Sequence, residues 1–154
     1  MAGQTVEVEV PMRWADMDAY GHINNVNIVR MMEEARIAAF GVPGGTGRPG
    51  AEPAVDLFST VPADTQTLVV EHRVRYVRPL DYRNVPARVS VWVASAKAAS
   101  FELAYVFRDP VDGHECVRAT TTLAFFSTTE QRLLRVPAEH RAALAAYAGE
   151  PLFT

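Results

Sequence analysis

The sequence predicts an α+β domain in two layers, a long central helix wrapped by a curved antiparallel sheet of about five strands. Three observations predict it. A long helical pattern runs up to Phe40, and no other stretch of comparable length has that periodicity. One alternating apolar–polar run precedes it at Val6–Val10. Four more alternating runs follow it, joined by short links, which is the pattern of an antiparallel sheet.

In chain order, Val6, Val8 and Val10 alternate with Glu7 and Glu9, as in a half-buried strand. A dense polar loop begins near Trp14. Gly21 within it permits backbone angles that other residues resist. Asn24 or Asn25 suits the N-cap of the helix, accepting from free N–H groups of the first turn. Ile28, Met31, Met32, Ala35, Ile37, Ala38 and Ala39 then form a broad apolar face, with Arg30, Glu33, Glu34 and Arg36 opposite. Gly41 and Pro43 stop the helix. Residues 41–53 are rich in Gly and Pro and read as a surface connection, with a lid over a pocket as the alternative. Val55–Val61 is expected to form a short strand.

The next run places Leu68, Val70, His72, Val74 and Tyr76 on one face, ending at Pro79. Ala87, Val89, Val91 and Val93 follow, then Phe101, Leu103, Tyr105 and Phe107. Asp109–Pro110 and Asp112–Gly113 mark a turn before Val117, Ala119, Thr121, Leu123 and Phe125. Pro137 starts a short C-terminal helix spanning about 137–148. With the sheet curled round the long helix this is the hotdog arrangement, a single domain over 1–154. Trp92, Val106 and Phe126 fall on the outer sheet face, and exposed apolar area there predicts a homo-oligomer.

Composition narrows the function classes. Hydrophobic residues make up 49% and charged residues 21% of 154, an ordinary soluble balance. A net charge of -3 argues against a nucleic-acid binder. No apolar run is long enough to span a bilayer, and MAGQTVEVEV has neither the basic nor the apolar region of a signal peptide. A single cysteine, Cys116, excludes an internal disulfide and fits a cytoplasmic location.

Chemistry concentrates in Asp16, Asp18, His22, Asn24 and Asn25, at the mouth of the helix. Asp18 lies just before the helix N-terminus, where free N–H groups favour negative charge. The same N–H groups suit an oxyanion on a substrate carbonyl, and a nearby carboxylate can attack that carbonyl or activate water. Such a set suffices for a thioester, whose thiolate leaves with little acid assistance. No Gly-x-Ser-x-Gly elbow occurs, and Cys116 with His114 beside a turn reads as structural. Asp16 reads as a loop-bonding residue. A metal site from Asp16, Asp18 and His22 is not expected, because one short loop would have to converge all three ligands.

The run Arg13-Trp14-Ala15-Asp16-Met17-Asp18-Ala19-Tyr20-Gly21-His22-Ile23-Asn24-Asn25 closely resembles the signature of the 4-hydroxybenzoyl-CoA thioesterase-like branch of the hotdog superfamily. Glu33-Glu34-Ala35-Arg36 resembles that family's central helix, and Tyr76-Val77-Arg78-Pro79-Leu80 its Tyr-x-Arg-Pro segment. The resemblance implies a homodimer or homotetramer that hydrolyses acyl-CoA thioesters at the subunit interface. Coenzyme A is then part of the substrate, and no separate cofactor is needed. The resemblance places the catalytic carboxylate at Asp18 and the carbonyl-polarising N–H near Asn25, with Asn24 beside it. Plant acyl-carrier-protein thioesterases have a similar run, in which an Asn follows the Asp by two residues and a His follows two later. His22 matches that His, but Tyr20 stands in the Asn place, which leaves His22 an auxiliary role. Lys97, Arg78 and Arg83 are implied candidates for the nucleotide phosphates, and Trp14, Tyr20, Met31 and Met32 for the acyl pocket. A hotdog enoyl-CoA hydratase or dehydratase and a non-catalytic acyl-CoA-binding protein are the competing readings.

Overall fold

The computed structural model describes residues 3–42, 50 and 52–153. Most of the segment considered as a lid, together with Pro43, lies outside them. The elements are β1 (Val6–Val10), α1 (Asn25–Phe40), β2 (Thr65–Tyr76), β3 (Ala87–Ala96), β4 (Phe101–Arg108), β5 (Glu115–Ser127), β6 (Arg132–Leu134) and α2 (Ala138–Ala146). Five strands run antiparallel in the order β1-β3-β4-β5-β2, and the three-residue β6 adds to β5. This is the expected hotdog layout, with α1 carrying the chain from one sheet edge to the other.

The helix buries Ile28, Met31, Met32, Ala35, Ala39 and Phe40 against the concave face of the sheet. That face supplies Val89, Val91, Val93, Phe101, Leu103, Tyr105, Phe107, Val117, Ala119, Leu123 and Phe125. Alternation along each strand sends these residues inward and their neighbours out. Phe40, Phe58, Phe101 and Phe125 form a continuous aromatic file, with centroids 5.7, 6.3 and 5.6 Å apart. Gly41 at φ 91° ends the helix and donates its N–H to Ile37 O at 2.8 Å.

Several expectations fail, each for a through-space reason. Val55–Val61 is not a strand; it holds a single 3₁₀ turn at Phe58–Thr60. The N–H groups of Ala54, Val55 and Leu57 instead bond the carbonyls of Ala38, Ala39 and Phe40, satisfying the open end of α1. Ile37 is half-buried and Ala38 exposed, whereas Arg36, expected on the polar face, is buried. Strand β2 changes phase at a bulge between Val69 and Glu71. Val69 therefore pairs with inward Leu123, and Leu68 pairs with outward Ala124.

The outer face is not bare either. Val106 is 4% exposed, and Trp92 and Phe126 are half-buried. The chain after α2 returns along β3, with Gly149 N donating to Val93 O and Trp92 Nε1 to Glu150 O, both at 2.9 Å. Phe153 then lies under the Arg73 and Arg75 guanidinium groups, 4.2 and 5.1 Å from its centroid. Since Trp92, Ala104, Thr120 and Arg73 form one cross-strand row, residues 149–153 span it and cover its apolar members. Exposed apolar area falls instead on β2 and its exit, where Val69 is 43%, Val70 61%, Tyr76 50% and Val77 47% exposed.

These contrasts predict two stabilities. Phe101→Ala empties the centre of the aromatic file and should cost about 3–5 kcal/mol in chemical denaturation. Leu68→Ala, on the outward phase of β2, should change stability by about 0.5 kcal/mol or less. A large loss at Leu68 would contradict the bulge register.

Candidate active site

The polar loop is a small hairpin held between two parts of the fold. A 3₁₀ turn at Trp14–Asp16 leads into it. Met17 bridges Ile23, Asp18 N donates to His22 O at 2.7 Å, and Gly21 at φ 80° makes the turn. Its second arm is joined to the segment after β2: Ile23 N donates to Leu80 O at 2.7 Å and Tyr82 N to Gly21 O at 3.1 Å. Asn24 is the N-cap, its Oδ1 accepting from Val26 N at 3.0 Å, so of the two candidate caps the structure uses the first.

The two acids of the loop do different things. Asp16 is fully buried, and Arg13 and Arg30 bind its carboxylate at 2.8 and 2.7 Å. Arg13 N donates to the same group at 2.9 Å. The Asp16 carbonyl accepts from Asn24 N and from Asn27 Nδ2. Burial raises the carboxyl pKa, but the Arg13 hydrogen bonds and the Arg30 and Arg13 charges outweigh it and hold it below the ordinary value. Asp16 is thus the scaffold acid, through a buried ion-pair hub rather than simple loop bonding.

Asp18 uses one oxygen locally. Oδ1 accepts from Tyr20 N at 2.8 Å and His22 N at 3.2 Å, and Oδ2 has no partner among the described residues. A cavity of about 390 Å³ is lined by Asp18, His22, Asn25, Tyr76 and Arg78, with Ile23, Ile28, Leu80 and Val117 as its apolar wall. Asn25 is the first residue of α1, and its N–H is unpartnered among the described residues. Tyr76 Oη donates to Asn25 O at 2.9 Å.

The His22 ring reaches Asp81, with Nε2 3.5 Å from Asp81 Oδ1. An adjoining cavity of about 320 Å³ contains His22, Arg78, Asp81, Asp109, Asp112, His114 and Cys116. Arg83, a phosphate candidate, is engaged there by Asp109 at 2.9 Å, Asp112 at 3.3 Å and Asp81 at 3.7 Å. Three carboxylates around one guanidinium leave it poorly suited to a phosphate. Cys116 is buried, and that burial raises its thiol pKa, which suits a structural role.

The structure therefore brings together Asp18, His22, Asn25 and Arg78, with Asn24 as their cap. It does not bring in Lys97, which sits in the β3–β4 hairpin at the far end of β4 from Val117. Tyr20 is 82% exposed outside the cavity wall, its ring centroid 6.4 Å from that of His22. Trp14 is 74% exposed against Tyr82, and Met31 and Met32 belong to the core. Neither Glu33 nor Glu34 borders the Asp18 cavity. Among the described residues no His, Cys, Asp and Glu group could hold a metal ion. Sequence pattern alone does not mark Tyr76 or Asp81 as a site residue. The polar tip of an aromatic at a strand end only hints at Tyr76, and nothing in the pattern points to Asp81.

The same architecture occurs in proteins of known structure. The family model described as the thioesterase-like superfamily matches residues 12–144. A thioesterase complexed with coenzyme A and Zn from Thermus thermophilus is similar at 22% identity, with a TM-score of 0.69 over 94% of this chain and 95% of that one. A 1,4-dihydroxy-2-naphthoyl-CoA thioesterase from Synechocystis is 17% identical, with a TM-score of 0.71 over 92% and 96%. A member of the thioesterase superfamily from Jannaschia sp. CCS1 is 16% identical, with a TM-score of 0.73 over 94% and 93%. At these identities the likeness is one of fold. A search of curated proteins finds no match. No helix of the described residues is long and apolar enough to cross a membrane.

The Asp16 hub has a defined pH signature. Its folded pKa lies below the unfolded value, so its stabilisation is present above about pH 4 and is lost as pH falls through the folded value. Asp16→Asn should destabilise the protein by about 3 kcal/mol at pH 7, because two guanidinium groups lose their anion. The variant should also show a flatter stability profile below about pH 4 than wild type. Equal acid profiles for the two proteins would refute this assignment.

Proposed function

The chain belongs to the thioesterase-like superfamily, and from that premise we propose that it hydrolyses an acyl-CoA or acyl-carrier-protein thioester to the free acid and thiol. The observation that carries the reading is the shared cavity: the Asp18 carboxylate, with Oδ2 free of protein partners among the described residues, and Asn25 at the start of α1 border the same space. In this reading Asn25 N–H stabilises the growing negative charge on the thioester oxygen, aided by the helix dipole. Asp18 either takes a proton from the attacking water or attacks the carbonyl carbon itself, forming an anhydride that water then opens. Either way the C–S bond breaks and the thiolate departs without needing an acid. His22, tied to Asp81, supports the loop and the water beside it. Arg78, exposed at the cavity rim, is the favoured contact for the carrier.

We also propose that the active form is a homodimer or a dimer of dimers. Support comes from β2, a long edge strand whose free side and apolar residues Val69 and Val70 are open in the single chain. The cavity beside Tyr76 opens at the same edge.

Release of free thiol from a panel of acyl-CoAs tests the chemistry. Asp18→Asn should lower kcat by about 10²- to 10⁴-fold with the fold intact. An Asn variant as fast as wild type on every substrate would sink the mechanism, while loss of an enoyl double bond with the thioester intact would favour a hydratase. Light scattering should give about twice the 16.9 kDa chain mass or a multiple of it, and Val70→Lys should shift that toward monomer. A fully active wild-type monomer would rule out the assembly.

A further inference from the structure

We propose that Tyr76 is a positioning residue that locks the peptide plane adjoining the oxyanion-binding Asn25 N–H at the start of α1; the catalytic meaning of this rests on the hydrolase reading above. The starting point is the set of hydrogen bonds around Asn25. Tyr76 Oη donates to Asn25 O at 2.9 Å. The N–H of that same peptide unit, on Val26, donates to Asn24 Oδ1 at 3.0 Å. One peptide plane is thereby held at both ends, by a phenol on one side and a cap on the other. The preceding plane is held through its oxygen, since Asn27 N donates to Asn24 O at 2.9 Å. Its remaining atom with hydrogen-bonding capacity is the Asn25 N–H, which has no partner among the described residues.

The arrangement solves a specific difficulty. The first residues of a helix have no preceding turn to hold them and are the place where helices fray. A catalytic N–H at that position needs fixing from outside, because an oxyanion hole works through dipoles that need not reorganise during the reaction. Here the fixing group comes from the end of β2, an element 51 residues away in sequence from Asn25. Hydrogen bonds in series also polarise one another, so the phenol bond strengthens the cap beyond it. The Tyr76 ring forms part of the cavity wall, and its hydroxyl is committed to the backbone instead of to the substrate. Tyr76 accordingly affects the rate through Asn25 and takes no part in proton transfer.

Tyr76→Phe keeps the ring and removes only the hydroxyl. Loss of a direct oxyanion donor costs about 10²- to 10³-fold in kcat, so loss of its positioning bond should cost about 10-fold. KM and the melting temperature should stay close to wild type, and the pH–rate profile should keep its shape. A profile that lost its alkaline limb would make the phenol an acid or base and overturn the proposal. So would a kcat within about twofold of wild type, or a rate loss that only tracks unfolding. A second measurement does not need turnover. Amide hydrogen exchange at Val26 and Asn27 should quicken about 10-fold in Tyr76→Phe, with the middle of α1 unchanged. Unchanged exchange there refutes the positioning role. If wild type hydrolyses no thioester while this exchange still quickens, the hydrolase reading fails and the positioning bond stands.

Discussion

A carboxylate with no access to solvent holds the polar loop to the start of α1. Asp16 is buried completely, and a buried charge survives only where its lost hydration is replaced. Arg13 replaces it from the chain just before the 3₁₀ turn and Arg30 from the second turn of α1. The Asp16 carbonyl meanwhile takes the N–H of Asn24 and the side-chain amide of Asn27. The entry to the loop, its exit and the helix thus converge on one residue that does not itself reach the cavity. Asp18, two positions on, is left with an oxygen unspent. Two acids separated by one methionine divide the work: one is neutralised to build the loop, and the other is kept available.

The rest of the site follows from what the loop is fastened to. The hairpin is bonded to Leu80 and Tyr82 on one side and runs into the Asn24 cap on the other, so the cavity lies between the start of α1 and the end of β2. Among the described residues strand β2 pairs only with β5, and much of its inner surface is uncovered in the single chain. On the convex face the opposite holds, because the segment after α2 lies across Trp92 and ends with Phe153 beneath two arginines. One face is closed by the chain's own tail, and the open surface gathers beside the cavity. That asymmetry is why the proposed homo-oligomer is placed on β2 and not on the outer face, where alternation alone puts the apolar excess.

Much of the fold was legible because it is written in local period. Val6–Val10, the strands β3, β4 and β5 and the stop at Gly41 all stand where alternation, helical spacing and turn chemistry put them, whereas the three-residue β6 carries no such signal. Asp18, Asn24 and Asn25 could be named as candidates because they sit in a motif whose spacing is itself local. What misled was every case in which an outside group decided. Arg36 has a polar side chain on a helix flank, yet the sheet covers it. Val55 and Leu57 have strand-like side chains, yet their N–H groups are taken by the open carbonyls of α1. A single extra residue near Val70 inverts the face of half a strand, and no periodicity reveals an insertion before its partner strand is known.

The sequence by itself determined most of the element order, the two-layer architecture and which loop gathers the candidate residues, because these depend on residue spacing within a few turns of chain. Only the tertiary structure decided that Asp16 is buried while Asp18 keeps an oxygen free among the described residues, that Tyr76 lines the Asp18 cavity and Asp81 the adjoining one, and that Lys97 lines neither while three carboxylates hold Arg83. Those outcomes depend on which distant groups supply hydrogen bonds and opposite charge. A carboxylate, a phenol or a guanidinium carries the same chemistry anywhere in a sequence, and its role is set by the partners that folding brings within about 3 Å of it.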